Sequence, residues 1–247
     1  MSGMKTGFEL DNIYNMDCLE GMSSIPDGSV DLVVTDPPYR ITATGNVNGT
    51  MGGYMNNTEL GRKGKIFENN DIDIEDYLPH FHRVLKEDAH CYIMCNNLNL
   101  PHFFDVVSKS GFRFIKLLVW DKQNKICGRY YMSQVEHIFL LRKGADKKIN
   151  DCGVSDLISI PNLKEKTMEG RNVHDSQKPV ELMKVFIECS SLPGEVVLDP
   201  FMGSGTTAVA AVESGRRFIG FEIDPEYHRD SLKRLDEIRR AENKKLF

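Results

Sequence analysis

The sequence predicts a doubly wound α/β fold, a mostly parallel β-sheet with helices on both of its faces. Three observations support this prediction. Apolar segments of strand length alternate with segments of helical spacing through most of the 247 residues. The apolar segment 30–34 is stopped by the prolines of TDPPYR, residues 35–40. A later apolar segment, 195–199, leads through the glycine-rich MGSGTT into a segment of helical spacing.

The predicted strands are short and apolar. Residues 30–34, VDLVV, are typical of a buried strand. Pro37 and Pro38 end this strand, because proline has no N–H group to donate and a fixed φ. The stiff turn lies at the carboxyl end of a strand, where open α/β sheets bind their ligands. We predict strands at 13–14, 30–34, 90–95, 112–120, 135–141, 195–199 and 217–223.

The predicted helices combine apolar residues at helical spacing with residues typical of helix ends. Pro179 stands at the start of one helix, a position that favours proline. Gly111 and Gly215 follow two others, as expected of residues that end a helix in a left-handed conformation. We predict helices at 19–25, 74–85, 100–109, 179–189, 204–214 and 225–245.

The composition is that of a cytosolic globular protein. With 40% hydrophobic and 27% charged residues, the chain suits one domain over residues 1–247. The net charge of −5 gives no overall indication of nucleic-acid binding, although a local basic patch can exist. The six cysteines form no C-x-x-C pair and are expected to be reduced thiols, and no H-E-x-x-H metal motif is present. Without a membrane-spanning segment or a signal peptide, we expect a cytoplasmic or nucleoid-associated protein.

Two polar segments interrupt the alternation of strands and helices. Residues 41–65, ITATGNVNGTMGGYMNNTELGRKGK, are rich in Gly, Asn and Thr and have little periodicity. A loop of this length in a compact domain is usually a functional lid or disordered, and we interpret it as a flexible loop. Residues 142–173 are polar and contain Gly, Pro and Asn, which indicates a short insertion.

The segment VVLDPFMGSGTTAVAA, residues 196–211, has the strand–glycine–helix pattern of a nucleoside-cofactor site. Gly203 and Gly205 allow a tight turn and a close approach of the backbone to a ligand, and Ala208 allows the helix to pack closely. Glu222 ends the next predicted strand, where an acid is expected to bind ribose hydroxyls. No Gly-Lys-Ser/Thr follows, so the motif is not a phosphate loop of the NTPase kind.

The cofactor predicted by this motif is either a dinucleotide or S-adenosylmethionine. A dinucleotide needs a helix N-terminus that is open to its pyrophosphate. Acids are concentrated here instead: Asp199, Glu222, Asp224 and, if the two strands are neighbours, Asp36. Clustered carboxylates repel phosphates and attract a sulfonium and an ammonium group. The charge pattern therefore favours S-adenosylmethionine.

Several motifs of the chain resemble those of the DNA amino-methyltransferases, and their order resembles the circularly permuted β group of that family. The resemblance covers most of the chain except residues 41–65 and 142–173, and the latter occupy the position of the family's target-recognition region. The matching motifs are NMDC at 15–18, DPPY at 36–39, HCYIMCNNLNL at 90–100, LVWDK at 118–122, HDSQKP at 174–179 and LDPFMGSGTT at 198–207.

The resemblance implies a Rossmann-like methyltransferase that moves a methyl group from S-adenosyl-L-methionine to the N6 amine of adenine in a specific duplex DNA sequence. An adenine amine is a poor nucleophile, because its lone pair is delocalised into the ring. The Asp36 carboxylate and the Pro37 carbonyl can accept its two N–H groups and localise the pair, and Pro38 stiffens the turn. Tyr39 can stack on the base, which must be flipped out of the duplex before direct in-line transfer.

The resemblance also implies a set of cofactor-binding residues. Asp17 is expected near the adenine amine of the cofactor, Glu222 on its ribose and Lys178 at its methionine carboxylate. The full predicted set is Asp17, Cys18, Asp36, Ser176, Gln177, Lys178, Asp199, Pro200, Phe201, Gly203, Ser204, Gly205, Thr206, Thr207, Glu222, Ile223 and Asp224.

Double-stranded DNA is the predicted partner, and phosphate contacts must offset the cost of base flipping. Basic residues are concentrated after DPPY and around 122–148, so we expect a shared basic face. A homodimer and a separate cognate restriction endonuclease are further candidate partners. The predicted DNA-contacting residues are Arg40, Arg62, Lys63, Lys122, Arg129, Arg142 and Lys143.

Three functions other than adenine methylation are associated with the same or similar motifs. A cytosine-N4 methyltransferase has the same chemistry, although related cytosine enzymes tend to carry Ser where this chain has Asp36. Enzymes that methylate RNA or a protein glutamine have an N-P-P-Y motif and place the glycine motif first, against the order found here. A non-catalytic DNA-binding or nucleotide-binding module is expected to have degraded motifs, and the motifs of this chain are intact.

Overall fold

The computed structural model describes residues 8–38, 71–126, 131–163 and 177–245. Within these ranges, eight strands form one sheet in the order β1-β8-β7-β2-β3-β5-β4-β6. The strands are β1 (Asn12–Asn15), β2 (Val30–Thr35), β3 (Leu85–Cys95), β4 (Arg113–Ile126), β5 (Ser133–Arg142), β6 (Leu157–Ser159), β7 (Val196–Asp199) and β8 (Arg217–Glu222).

The sheet is mostly parallel, as predicted. Strands β1, β8, β7, β2 and β3 pair in parallel, whereas β5 is antiparallel to both β3 and β4. The early strand β2 lies beside the late strand β7, with Leu32 opposite Val197 and Val33 opposite Leu198. This pairing brings the DPP turn and the glycine motif together, although they are far apart in the chain. Both lie where the parallel strands have their carboxyl ends, and we call this line of strand ends one edge of the sheet.

Helices cover both faces of the sheet, which confirms the doubly wound prediction. Met22 and Phe81 belong to the buried core between one face of the sheet and its helices, and Phe186 and Leu235 belong to the core on the other face. In the described part of the chain, no helix is long and apolar enough to span a bilayer. The helices are α1 (Cys18–Ser23), α2 (Ile74–Val84), α3 (Leu100–Lys109), α4 (Val180–Ser190), α5 (Thr206–Glu213) and α6 (Pro225–Lys245).

Strands β3 and β4 are at least five residues longer than predicted, and β6 was not predicted. Strand β3 begins at Leu85 rather than at residue 90, and β4 continues to Ile126 rather than ending at 120. These extensions are rich in exposed charged and polar side chains, so an apolar pattern does not reveal them. The predicted insertion 142–173 contributes the short strand β6, which pairs in parallel with β4. The predicted loop 41–65 and residues 164–173 lie outside the described residues.

Candidate active site

The carboxyl ends of three neighbouring parallel strands form the candidate site. Asp36 follows β2 directly, Asp199 ends β7, and Glu222 ends β8. Because these strands are parallel and adjacent, the three acids lie along one edge of the sheet. The two sequence signals, DPP and the glycine motif, therefore belong to a single site.

The glycine loop between β7 and α5 depends on left-handed backbone conformations. Gly203 has a φ of 53° and Gly205 a φ of 80°, in the region that favours glycine. A Cβ atom on Gly205 would lie 3.0 Å from the Cβ of Ser231, whereas one on Gly203 would meet, among the described residues, only the Phe201 carbonyl, at 4.0 Å. The space over Gly203 is therefore open, as close approach of a ligand to the backbone requires.

Glu222 joins the glycine loop to the turn after β8. Its carboxylate accepts hydrogen bonds from the backbone N–H of Gly203 at 2.7 Å and of Asp224 at 2.9 Å. Burial raises the pKa of Glu222, and these two hydrogen bonds act in the opposite direction. The Asn15 side chain donates to the Glu222 carbonyl at 2.9 Å, which places the NMDC segment beside this acid.

The acids Asp17 and Asp224 cap helices at the same edge. The Asp17 carboxylate accepts from the N–H groups of Leu19 and Glu20 at the start of α1. The Asp224 carboxylate accepts from two N–H groups at the start of α6. Both acids are thus fixed at positively polarised helix N-termini.

The remaining predicted neighbours of these acids differ in exposure. Cys18 is buried, and burial raises the pKa of its thiol to about 12, so the thiol is unreactive. Ile223 is exposed and Gln177 is buried. The side-chain oxygen of Gln177 has no hydrogen-bond partner within the described ranges, as expected of a group that faces a ligand.

Asp199 is buried and connects β2 to the glycine loop. Its carboxylate accepts from the Thr35 hydroxyl at 2.7 Å and from the Phe201 N–H at 3.1 Å, and it also bonds the Thr207 side chain. Burial raises its pKa to about 6, in spite of these hydrogen bonds. Pro200, directly after Asp199, is buried as well. These contacts indicate that Asp199 holds the loop in place.

Arg234, on α6, was not identified from the sequence although it supports the glycine loop. Its guanidinium is buried and donates to the Ser204 carbonyl at 3.2 Å and to the Thr206 hydroxyl at 3.0 Å. The Thr206 hydroxyl in turn donates to the Lys178 carbonyl at 3.3 Å. A single arginine in a highly charged helix carries no sequence signal that separates it from its exposed neighbours.

Four charged side chains of alternating sign form a line that ends at Asp36, and we call them the charge chain: Lys122, Glu136, Lys178 and Asp36. The Lys178 ammonium contacts the Asp36 carboxylate and lies 3.7 Å from Glu136 Oε2. Glu136 Oε1 lies 3.3 Å from the Lys122 ammonium. Burial alone would lower the pKa of Lys178, but the two carboxylates outweigh it and raise the pKa above its ordinary value. Glu136 is not among the predicted site residues, because the sequence around it gives no sign of this contact.

The prediction of a basic, DNA-binding face is wrong for Lys122, Arg142 and Lys143. Lys122 is buried and paired within the charge chain, so it cannot meet DNA phosphates. Arg142 lies opposite His90, toward the other edge of the sheet, because β5 runs antiparallel to β3. Lys143 follows it there, with its side chain 12% exposed and its ammonium 3.5 Å from Glu87. The direction of β5 therefore places Arg142 and Lys143 away from the candidate site, and burial keeps Lys122 away from DNA.

Part of the predicted site lies outside the described residues. Pro37 is buried and Pro38 half-buried, as expected of a rigid turn. The predicted site residues outside the described ranges are Tyr39, Arg40, Arg62, Lys63, Arg129 and Ser176.

The described residues fit a cationic nucleoside cofactor. The glycine loop is open over Gly203, and the Glu222 carboxylate is fixed beside it. The acids along this edge favour a positively charged ligand over a phosphate. A mostly parallel sheet with this loop and a DPP turn at neighbouring strand ends defines the class of Rossmann-like amino-methyltransferases.

The chain belongs to the DNA methylase family, whose N6/N4-methyltransferase model matches residues 30–233. It is 32% identical to the DNA adenine methyltransferase YhdJ of Escherichia coli (strain K12), over 93% of this chain and 84% of that protein. Among solved structures, it matches the complex of M1.HpyAVI with SAM, with a TM-score of 0.65, 23% identity and coverage of 90% of this chain and 98% of that chain. It also matches the cytosine-N4-specific PvuII DNA methyltransferase, with a TM-score of 0.70, 18% identity and coverage of 95% of both chains.

Proposed function

We propose that the protein is an S-adenosyl-L-methionine-dependent DNA methyltransferase that modifies the N6 amine of adenine in duplex DNA. The observation that carries this proposal is the position of the DPP turn, directly beside the glycine loop at the carboxyl ends of β2 and β7. A nucleophile held by the turn is therefore next to the place where the loop can hold a cofactor.

Asp36 and Pro37 are proposed to activate the amine. The Asp36 carboxylate and the Pro37 carbonyl each accept one N–H, which draws the nitrogen toward a tetrahedral geometry and localises its lone pair. Pro37 is buried and Pro38 restricts the turn further, so the carbonyl needs little reorganisation during the reaction. When bound, S-adenosyl-L-methionine supplies a methyl group activated by its sulfonium.

The glycine loop and Glu222 are proposed to bind the cofactor. Gly203 and Gly205 let the backbone approach it, and Glu222, held by the Gly203 N–H, is available to a ribose hydroxyl. Asp17 is close to Glu222 through the pairing of β1 with β8 and is proposed to lie near the adenine of the cofactor. Gln177 is buried beside Lys178 and is proposed to line the methionine end.

The target base must leave the duplex to reach the DPP turn, since the turn lies at a strand end among buried side chains. Tyr39 is proposed to stack on the flipped base. Arg40, Arg62, Lys63 and Arg129 remain the proposed phosphate contacts. A homodimer and a cognate restriction endonuclease stay predictions from the family resemblance, and a cytoplasmic location stays a prediction from the composition of the sequence.

Cytosine-N4 methylation is the second candidate, favoured by the fold match to the PvuII enzyme. Adenine is preferred for two reasons. Related cytosine enzymes tend to carry Ser at the position of Asp36, and the relative YhdJ is named as an adenine methyltransferase.

Methyl transfer from labelled S-adenosyl-L-methionine to duplex DNA tests the proposal. The methylated DNA is digested to nucleosides, and the labelled product is identified by mass. We expect N6-methyladenine. N4-methylcytosine would establish the second candidate instead, and the absence of any labelled nucleoside across varied DNA would contradict both.

A further inference from the structure

The charge chain raises a conflict with the proposed activation of the amine. An uncompensated carboxylate is a stronger hydrogen-bond acceptor than one whose charge is offset by an adjacent cation. In the structure, the Lys178 ammonium contacts Asp36 Oδ2. A cation at this position also opposes the approach of a second positive group, such as a sulfonium. Asp36 is therefore a weaker acceptor in this arrangement than its proposed role requires.

Lys178 cannot resolve this conflict by moving into water. Its side chain is only 11% exposed, and an ammonium that loses its partner while buried is strongly disfavoured. It therefore needs another buried acceptor within reach when the target amine takes its place at Asp36.

Glu136 provides that acceptor. Its Oε2 atom lies 3.7 Å from the Lys178 ammonium, beyond the length of a hydrogen bond, and has no hydrogen-bond partner among the described residues. Its other oxygen faces the Lys122 ammonium at 3.3 Å, and the Lys122 side chain is only 5% exposed. Lys122 thus fixes the position of Glu136, while Oε2 stays available.

We propose that Glu136 is a positioning residue, which receives the Lys178 ammonium when the target amine binds Asp36. The shift required of Lys178 is short, because Nζ already lies between the two carboxylates. It removes the Lys178 cation from the Asp36 carboxylate, which then accepts from the amine, and it keeps the ammonium paired. This inference rests on the proposed function, because it assigns Glu136 to the same reaction.

A double-mutant cycle tests this role. In Glu136→Gln, the acceptor for Lys178 loses its charge, so Lys178 stays on Asp36 and the single-turnover rate at saturating DNA and cofactor falls. Adding Lys178→Met removes the cation from Asp36, so the double variant is expected to react about tenfold or more faster than Glu136→Gln alone. A double variant no faster than Glu136→Gln would overturn the inference, since a purely structural role predicts further loss.

Two controls keep the outcome specific. The Kd for S-adenosyl-L-methionine is measured for each variant, and the rates are compared only at cofactor concentrations that saturate it, so that loss of a contact between Lys178 and the methionine carboxylate does not enter the comparison. If the wild type forms no N6-methyladenine, the proposed function fails; if it does and only the recovery is missing, the inference alone fails.

Should Glu136→Gln not fold, a crystal structure of the wild type with duplex DNA and a cofactor analogue decides the question. The inference predicts Lys178 Nζ within about 3 Å of Glu136 Oε2 and separated from Asp36 Oδ2. An unchanged contact with Asp36 would overturn it.

Discussion

Asp36 contributes an acceptor oxygen and a charge to the candidate site, and no other acid of the described edge is attached to the proline turn. Replacing it with Ala is expected to lower methyl transfer by at least about a hundredfold, because one of the two acceptors for the amine is lost. Binding of S-adenosyl-L-methionine should stay measurable, because the glycine loop and Glu222 are unchanged. Single-turnover kinetics and calorimetry measure the two effects. Wild-type transfer in Asp36→Ala would contradict the assignment.

Asp199 makes the stability of the protein depend on pH in an identifiable way. Burial raises its pKa from 3.8 to about 6, so the folded protein retains a proton that the unfolded chain has already lost in this range. Stability from this group is therefore lost as the pH rises from about 4 to about 6, by about 3 kcal/mol for a shift of about two units.

The variant Asp199→Asn isolates this effect, because the amide cannot titrate and its oxygen can still accept from Thr35 and the Phe201 N–H. Its free energy of unfolding relative to the wild type should rise by about 3 kcal/mol between pH 4 and pH 7. Urea unfolding at a series of pH values measures this difference. A difference that does not change with pH would show that Asp199 titrates normally.

The glycine loop is a turn that Arg234 of α6 holds in place, by donating a hydrogen bond to the Ser204 carbonyl. Gly205→Ala places a Cβ atom 3.0 Å from Ser231 and forces a left-handed conformation on alanine. We expect a loss of about 2 kcal/mol of stability and a weaker affinity for S-adenosyl-L-methionine. Thermal unfolding and calorimetry measure both quantities.

Gly194→Ala is the matched control for this loop. Gly194 has a similar φ of 85°, but a Cβ atom there would meet nothing within 4 Å in the part of the chain that the structure describes, and the residue lies before β7, outside the site. This variant should lose about 1 kcal/mol and bind the cofactor as the wild type does. Equal cofactor affinities in Gly205→Ala and Gly194→Ala would remove the glycine loop from the cofactor site.

Sequence patterns predicted the ends of these elements better than the partners of their side chains. Prolines and glycines have backbone restrictions of their own, so TDPPYR and MGSGTT locate the two turns without tertiary information. The contact between Lys178 and Asp36 joins positions 142 residues apart, and a local pattern cannot predict it. Glu136 is one acid among many, and its role appears only when β5 places it opposite β4.

In the whole molecule, the candidate site lies at the carboxyl ends of the parallel strands. Arg142 and Lys143 lie at the opposite ends of these strands, outside the site. The sequence placed Arg142 and Lys143 on a DNA-binding face, since nearness in the chain does not reveal that β5 is antiparallel. The mostly parallel character of the sheet was predicted, because strands alternate with helices along the chain, but the order of the strands was not.

This division of the molecule predicts how DNA binding responds to salt. Changing Arg62 and Lys63 to Gln should weaken DNA binding and reduce the slope of log affinity against log salt by about 2, because each of the two side chains is proposed to neutralise one phosphate. Lys143→Gln should leave the slope unchanged, whatever its effect on stability, because its ammonium is held by Glu87 and the Leu85 carbonyl. Fluorescence anisotropy at several salt concentrations measures the slopes. A reduced slope in Lys143→Gln alone would place DNA at the opposite edge.

The central claim is that a flipped adenine is held by Asp36 and Pro37 beside the cofactor loop. A crystal structure of the protein with duplex DNA and a cofactor analogue tests it most directly. The account predicts N6 of one extrahelical adenine about 3 Å from both the Asp36 carboxylate and the Pro37 carbonyl, with the analogue over Gly203. A target base bound away from the DPP turn, or a cofactor bound away from the glycine loop, would contradict it.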